Sequence, residues 1–595
     1  MGPVLILVTW IIWLFATIGV GLGLSTIASY KSGSLRLHLH VALWWGLGAL
    51  LTLVSGLNVF LPLGGWFGQL LSAAFLLGGL VISAVFTFRH RETARSAIHS
   101  TFSVRRLPTL ILLGLIIFSL MLIARFAAAE PMDADTGGYR LGLINYARKY
   151  AVIPGLANLH DRFGFNSSLY PLAPFMEIGL WDSQGFRLVS GFLVLLLAAE
   201  VLLRVAAPRR GGATPGDWYL VIAISFLMAI ILTDSGRWIP SPAQDIAGYI
   251  PAVASTAFLA DALFSATNAQ RRVTLLNLAV ITAAIAGSLR PLGWLLTAIV
   301  LLVALGTEVR NKPRSLRNIV LVTKRLLPSI SFSAILAAVM LTRDALLTGW
   351  LLFPAGLLGL SVPWRVPDPT GTSKAITAWG REPGAPVSEV MNGFAWFNPW
   401  LDRFLNSREA YLIGLMLVLG VGLSLLLHQG RRAWSVSWQK MVLTMIPNAV
   451  MLLVWFITAP DVRFGWAALV SIAAVPLSWL LASHAFPDVP VRYAGVAILI
   501  VMLGTQVANS RTTPRGAEPV ATPLRLGPVS LTVNFGAPQE VETEPGQLPD
   551  GTPVTYPRDR ADCWNAFPLC LMRGASPQVE SIGDTIQEGF RPIRP

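Results

Sequence analysis

The chain has 595 residues, of which 54% are hydrophobic and only 13% charged, with a mean hydropathy of +0.62. Soluble globular chains carry about 25% charged residues, so a water-soluble domain is excluded, and repeated apolar runs of roughly 18 residues or more indicate a polytopic membrane protein. The net charge of +14 does not mark a nucleic-acid binder, because the basic residues, Arg far more than Lys, sit in short loops between the apolar runs.

The first run, 4–28, lacks a basic leader and is long enough to span, so it is read as a helix rather than a cleavable signal. With 41–62 and 66–88 it makes three N-terminal spans within 1–107. A core over 108–508 follows, with spans predicted at 108–128, 185–206, 218–234, 245–266, 273–288, 291–306, 326–342, 410–428, 441–459, 464–483 and 493–508. That is about fourteen spans in an all-α polytopic membrane protein. Loops 89–107, 207–217, 267–272, 307–325 and 429–440 carry a consistent Arg/Lys excess, which places them in the cytoplasm. Loops 129–184, 235–244, 288–291, 343–409 and 460–463 then face outward, with the N-terminus and the tail 509–595. The unusual polar residues fall on this outer side. The tail is Pro-rich and is expected to form a small, loop-rich extracytoplasmic appendage. It holds both cysteines, Cys563 and Cys570, which in an oxidising compartment can form a disulfide; two free thiols are the alternative. The chain carries no P-loop or GxGxxG fingerprint, so there is no sequence case for an ATP-driven pump.

The outward loops carry the candidate chemistry. Asp133-Ala-Asp135-Thr-Gly-Gly-Tyr139 follows the fourth span directly. A carboxylate pair at the mouth of a membrane helix is costly unless it serves catalysis or binding; N-capping of a short helix from Thr136 is the plainer reading. Gly287-Ser-Leu-Arg290-Pro-Leu-Gly-Trp294 is a tight outer turn whose Arg290 suits a phosphate or snorkels to headgroups. Ala459-Pro-Asp461-Val-Arg463-Phe-Gly465 opens the thirteenth span; Arg463 is a second phosphate candidate, and Asp461 its possible structural partner. Asp245, at the start of the seventh span, is either a cap or a second carboxylate facing Asp135. Asn158, His160, Asp161 and Asn166 suit a hydroxyl-rich ligand. The outer-loop tryptophans Trp350, Trp364, Trp379, Trp396 and Trp400 are assigned no site, since interfacial anchoring is their commoner role. Asn166-Ser-Ser168 fits the N-glycosylation pattern, but a bacterial source is favoured.

Asp135-Thr-Gly-Gly-Tyr139 resembles the first-external-loop motif of the GT-C glycosyltransferases, a superfamily that includes protein O-mannosyltransferases and lipid A aminoarabinose transferases. Many members carry Asp-Glu with a Tyr four residues after the Asp; here Thr136 stands in place of the Glu. The stretch Asp135 to Ser168, the Arg463 region and the Cys-containing tail are similar to a bacterial family of polytopic membrane proteins that brings no established substrate. The superfamily resemblance implies a GT-C-like helical core and an inverting transfer from a polyprenyl-phosphate sugar to a glycan, lipid or protein acceptor. It implies Asp135 as base, with Asp133 as helper, Tyr139 near the substrate, and Arg290 and Arg463 on the lipid phosphate. An Asp-x-Asp pair is similar to that of metal-dependent sugar transferases. Two carboxylates are few ligands for a cation, so Mg or Mn at Asp133 and Asp135 stays an open expectation and no cofactor is certain. The expected setting is a bacterial plasma membrane, with the site facing outward. A lipid-linked glycan transporter or flippase is the main rival, and a non-catalytic envelope-assembly scaffold a third. A transporter is expected to place polar segments near the midplane, whereas here they cluster at the outer ends.

Overall fold

Apolar runs become helices here because a bilayer supplies no water to satisfy backbone N–H and C=O groups, and a helix satisfies them internally. The computed structural model describes residues 1–27, 35–92, 107–205, 212–234, 236–264, 268–310, 316–429, 437–483, 520–526, 529–575 and 577–593. Three N-terminal helices, α1 (Gly2–Ile27), α2 (Leu35–Phe60) and α3 (Trp66–Arg89), precede α4 (Leu107–Ala127). After a long loop carrying α5 (Leu141–Lys149) and α6 (Leu169–Phe175) come α7 (Phe186–Val205), α8 (Pro215–Thr233), α9 (Gln244–Phe264), α10 (Ala269–Leu289), α11 (Gly293–Arg310) and α12 (Leu316–Thr348). A second long loop holds the hairpin β1 (Trp350–Leu352) and β2 (Leu357–Gly359), then α13 (Pro369–Arg381), α14 (Val387–Val390) and α15 (Phe397–Leu405). The last spans are α16 (Arg408–Gln429), α17 (Trp438–Thr458) and α18 (Val462–Ser483).

Among the described residues twelve helices are long and apolar enough to cross a membrane, and the 21-residue α4 corresponds to the predicted fourth span. This is an all-α polytopic membrane protein. The predicted span 493–508 lies outside the described residues, as do Arg95, Arg105, Arg106, Arg209, Arg210, Lys312, Arg314, Arg431 and Arg432 of the basic loops.

Helices α9 and α10 lie against each other at the centre, contacted between them by α2, α7, α8, α11, α12, α17 and α18. The whole spanning window of α9 is buried, against 6% of that of α16. A helix as apolar as α16 with so little protein around it requires lipid. Small residues let the N-terminal helices touch backbone to backbone: a Cβ on Gly21 of α1 would lie 1.8 Å from the Ala42 oxygen of α2. Helix α12 extends beyond the predicted 326–342 because Arg343, where hydropathy ends the span, is buried with partners. Its Nε donates to Asn166 Oδ1 (3.0 Å) and its Nη1 to Asn58 Oδ1 (2.9 Å).

The two ends of the bundle differ in chemistry. One end joins the start of α2 to α7, α8 and α9 through His40–Glu200 (2.8 Å), Arg204–Asp217 (3.5 Å) and Arg204–Asp261 (2.6 Å), and α10 to α11 through Arg272–Glu308 (2.6 Å). The opposite end gathers both long loops, the short turns at 234–243, 290–292 and 459–461, and the tail. This alternation matches the predicted loop parity.

The tail is loop-rich, as expected, and among its described residues carries short antiparallel hairpins: β3 (Val520–Leu526) with β4 (Val529–Phe535), β5 (Thr543–Gln547) with β6 (Pro553–Pro557), and β7 (Val579–Ser581) with β8 (Phe590–Pro592). Residues 509–519 of the tail lie outside the described residues. The tail fastens onto the first long loop. Gly536 N donates to Ala128 O (2.9 Å), Phe590 N to Pro154 O (3.0 Å) and Trp564 N to Gly137 O (2.9 Å). Cys563 and Cys570 are joined in a disulfide, with Cα atoms 5.8 Å apart.

Candidate functional site

After α4 the chain turns at Pro131, and Thr136–Arg140 winds as one π-helical turn into α5. Such turns place residues five apart over one another and recur at functional sites. Here the winding carries Arg140 back to Asp135, five residues earlier, with Arg140 Nη2 at 3.1 Å from Asp135 Oδ2. Arg140 also pairs with Asp133 through Nη1. Two further segments reach the same carboxylate. Arg162, on the 3-10 turn Asp161–Gly164, donates to Asp135 Oδ1 (3.0 Å). Arg463, in the first turn of α18, donates to Asp135 Oδ2 (3.1 Å). Asp135 is therefore the meeting point of three guanidiniums from three parts of the chain.

The electrostatics follow from this geometry. Burial pushes the Asp135 carboxyl up, and Arg140, Arg463 and Arg162 more than reverse it, so it is held below its ordinary value. Asp133 goes the other way. Burial raises it, Arg140 takes back only part, and the charge on Asp135 adds to the rise. Asp461 is also raised, by burial above all, although Arg463 opposes this. Asp461 Oδ1 accepts from the Arg463 backbone N–H (3.1 Å), which fixes the first turn of α18.

A cavity of about 340 Å³ opens beside this cluster. Asp133, Asp135, Asp461 and Arg463 line it from one side. Asp234, Arg237 and Trp238 come from the turn after α8, Arg408 and Glu409 from the start of α16, Trp379 from α13 and Trp466 from α18. Arg463 and Trp466 also line a second, narrower space of about 40 Å³ between α9, α10, α11, α17 and α18. Its walls are mostly apolar, with Leu292, Leu296, Met451, Phe464 and Ala467, and it carries the pair of buried Asp245 with half-buried Arg290. The Arg290 and Arg463 guanidiniums lie 4.4 and 5.0 Å from the Phe464 ring centre. A polar chamber thus adjoins an apolar slot, with cations where they meet.

The structure brings together Asp133, Asp135, Arg463, Arg290 and Asp245 of the expected site. The other expected substrate contacts lie elsewhere. Tyr139 is buried beside Phe165, with the Arg140 and Arg162 guanidiniums 5.7 and 5.8 Å from its ring centre. Asn158 donates to Trp364 O (2.8 Å), and His160 Nε2 meets Met572 Sδ (2.8 Å), so both tie the loops to each other and to the tail. Asp161 points toward solvent beside His160. Asn166 is buried with Arg343. These polar groups are held in protein–protein bonds because the loop is covered, which loop composition does not reveal.

Arg140, Arg162, Asp234, Arg408, Glu409 and Trp466 were not singled out from the sequence, nor was Asp562 of the tail, whose carboxyl burial pushes up and Arg162 pulls down. Arg408-Glu409, a charge pair at the start of an apolar span, was a usable signal. The donor set does not fit a divalent cation at Asp133 and Asp135: both oxygens of Asp135 already face guanidiniums, and no group of three or more His, Cys, Asp or Glu that could hold a metal occurs among the described residues.

A family model described as a domain of unknown function (DUF8201) matches residues 4–470. The chain belongs to the DUF8201 family. The match takes in the bundle, both long loops and Arg463, and ends within α18, before the hairpins of the tail. Comparisons with curated proteins and with solved structures returned no match.

Proposed function

We propose that this protein is a GT-C-type glycosyltransferase that moves a sugar from a polyprenyl-phosphate donor to a cell-envelope acceptor at the outer face of a bacterial plasma membrane. The observation that carries this reading is the junction of a polar chamber with an apolar slot, with Arg463 shared by both and Arg290 in the slot. An amphiphile with a long chain, a phosphate and a sugar has that same order of chemistry. The Arg/Lys excess in alternate loops supports the outward placement of the chamber, and the Asp135–Tyr139 resemblance supports the reaction class.

In the reaction the acceptor oxygen bonds to the anomeric carbon, and the bond from that carbon to the phosphate oxygen breaks. The acceptor proton goes to Asp135, and polyprenyl phosphate leaves with an additional negative charge. Arg463 and Arg290 lie where that charge develops, which is where fixed cations lower the barrier most. At rest Asp135 is a weak base, because three guanidiniums hold its negative charge. A donor phosphate draws Arg463 onto itself, leaves Asp135 Oδ2 with Arg140 alone and strengthens the base when the donor is in place.

The test is single-turnover transfer in nanodiscs with a panel of polyprenyl-phosphate sugars, comparing the wild type with Asp135→Asn. The variant is expected to lose about 10²-fold or more, the usual share of a positioned base. EDTA is expected to have no effect. If no donor is turned over, while polyprenyl phosphate binds tightly and equally to both proteins, the transferase is wrong and a transporter or scaffold takes its place.

A further inference from the structure

Five carboxylates line the chamber, and four of them face a guanidinium: Asp133 and Asp135 face Arg140, Asp461 faces Arg463, and Asp234 faces Arg237 and Arg408. Glu409 is the exception. It is 7% exposed, and its Oε1 accepts from Trp466 Nε1 (3.1 Å). Among the described residues no cation pairs with it and no donor meets its second oxygen. A carboxylate this buried is costly unless a donor reaches it. Its place in the first turn of α16 accounts for a favourable helix-dipole term but not for an oxygen left open beside a cavity.

The neighbouring wall supplies the rest of a recognition surface. Trp379 of α13 is 50% exposed and lines the same chamber. An exposed indole face and an open carboxylate together match a sugar ring, which has one apolar C–H face and hydroxyl donors at its edge. These two residues stand on α13 and α16, separate from the first loop and α18, which carry Asp135 and Arg463.

We propose that Glu409 and Trp379 form a carbohydrate subsite that takes the acceptor, with the sugar ring against Trp379 and a ring hydroxyl donating to Glu409. The word acceptor rests on the glycosyl-transfer reading; the binding of a sugar ring does not. The preferred variant is Glu409→Gln, because its amide oxygen keeps the bond from Trp466 while the charge is lost. Trp379→Ala removes the stacking face from a half-exposed position.

The experiment is saturation-transfer NMR on the full chain in nanodiscs, with methyl glycosides of mannose, glucose, galactose and arabinose as probes. It is run beside two-substrate transfer kinetics and donor hydrolysis without acceptor. The wild type is expected to transfer saturation to at least one glycoside. The signal is expected to vanish in Trp379→Ala and the affinity to fall about tenfold in Glu409→Gln, the size expected for one hydrogen bond to a charge. Acceptor KM is expected to rise by the same factor and donor KM by less, with the melting temperature unchanged. Equal glycoside signals in all three proteins, or none in any, would overturn the subsite, as would transfer with an unchanged acceptor KM in both variants. Glycoside binding that depends on Glu409 without any transfer would sink the transferase reading and leave the subsite standing.

Discussion

Gly137→Ala tests whether the tail is a working part of the site. Gly137 lies in the π-turn between Asp135 and Arg140, and Trp564 of the tail sits directly on it. A Cβ there would lie 2.4 Å from Trp564 Cε2 and 2.6 Å from Cδ2. Carbon atoms in good contact are about 3.5–4.0 Å apart, so the indole must retreat by more than an ångström. It has little freedom to do so. Trp564 is 6% exposed, its backbone N–H donates to Gly137 O, its φ is +46°, and its neighbour Cys563 is in the disulfide. Overpacking of this kind costs about 1–3 kcal/mol. The opposing gain, a less flexible unfolded chain, is about 0.4–1 kcal/mol, so the clash wins. The variant is expected to melt earlier and to show faster hydrogen exchange over 133–147 and 561–572 together. Trp564→Phe in the same chain is expected to recover part of the loss, with a coupling of about 0.5–3 kcal/mol because the two residues touch. Unchanged melting and exchange in Gly137→Ala would show that Trp564 does not seat on the motif and would refute the argument.

Stability should track the charge on Asp135. Its folded carboxyl titrates below its ordinary value, so its contribution is complete above that ordinary value and is lost as pH falls through the folded one. Melting curves of the wild type and Asp135→Asn are therefore expected to differ most near neutral pH and to converge as pH falls through the folded value; a constant gap would remove the ion-pair explanation. The disulfide closes a loop with a sequence separation of 7, and the chain-entropy model gives about 2.5 kcal/mol for a loop that short. Reductant is expected to raise exchange around Trp564 first and then over the motif it covers. Arg290→Ala is expected to weaken polyprenyl-phosphate binding at least about tenfold, while Arg290→Lys recovers only part because it lacks the paired donors. Equal affinity for wild type and Arg290→Ala in a lipid-binding titration would take Arg290 out of the phosphate site.

Sequence by itself determined the helices and the side of the bundle on which polar chemistry collects. Both depend on solvent: about twenty apolar residues in lipid have few choices but a helix, and Arg and Lys bias which way it points. The carboxylate pair, Arg290, Arg463 and Asp245 were legible because charge beside a membrane span is rare and costly. Tertiary structure alone decided which polar groups share a chamber. Arg140 reached Asp135 through a π-turn that no propensity marks, and Arg162 and Arg463 came from 27 and 328 residues away. Asn158 and His160 were drawn instead into bonds that hold the loops and the tail together, and Asn166 into bonds with α12. The tail shows the limit most clearly. Its prolines suggested loops, and it is the loop between β6 and β7 that sets Trp564 on Gly137; composition cannot foretell this, because burial of an indole depends on a surface formed only when residues 427 positions apart meet.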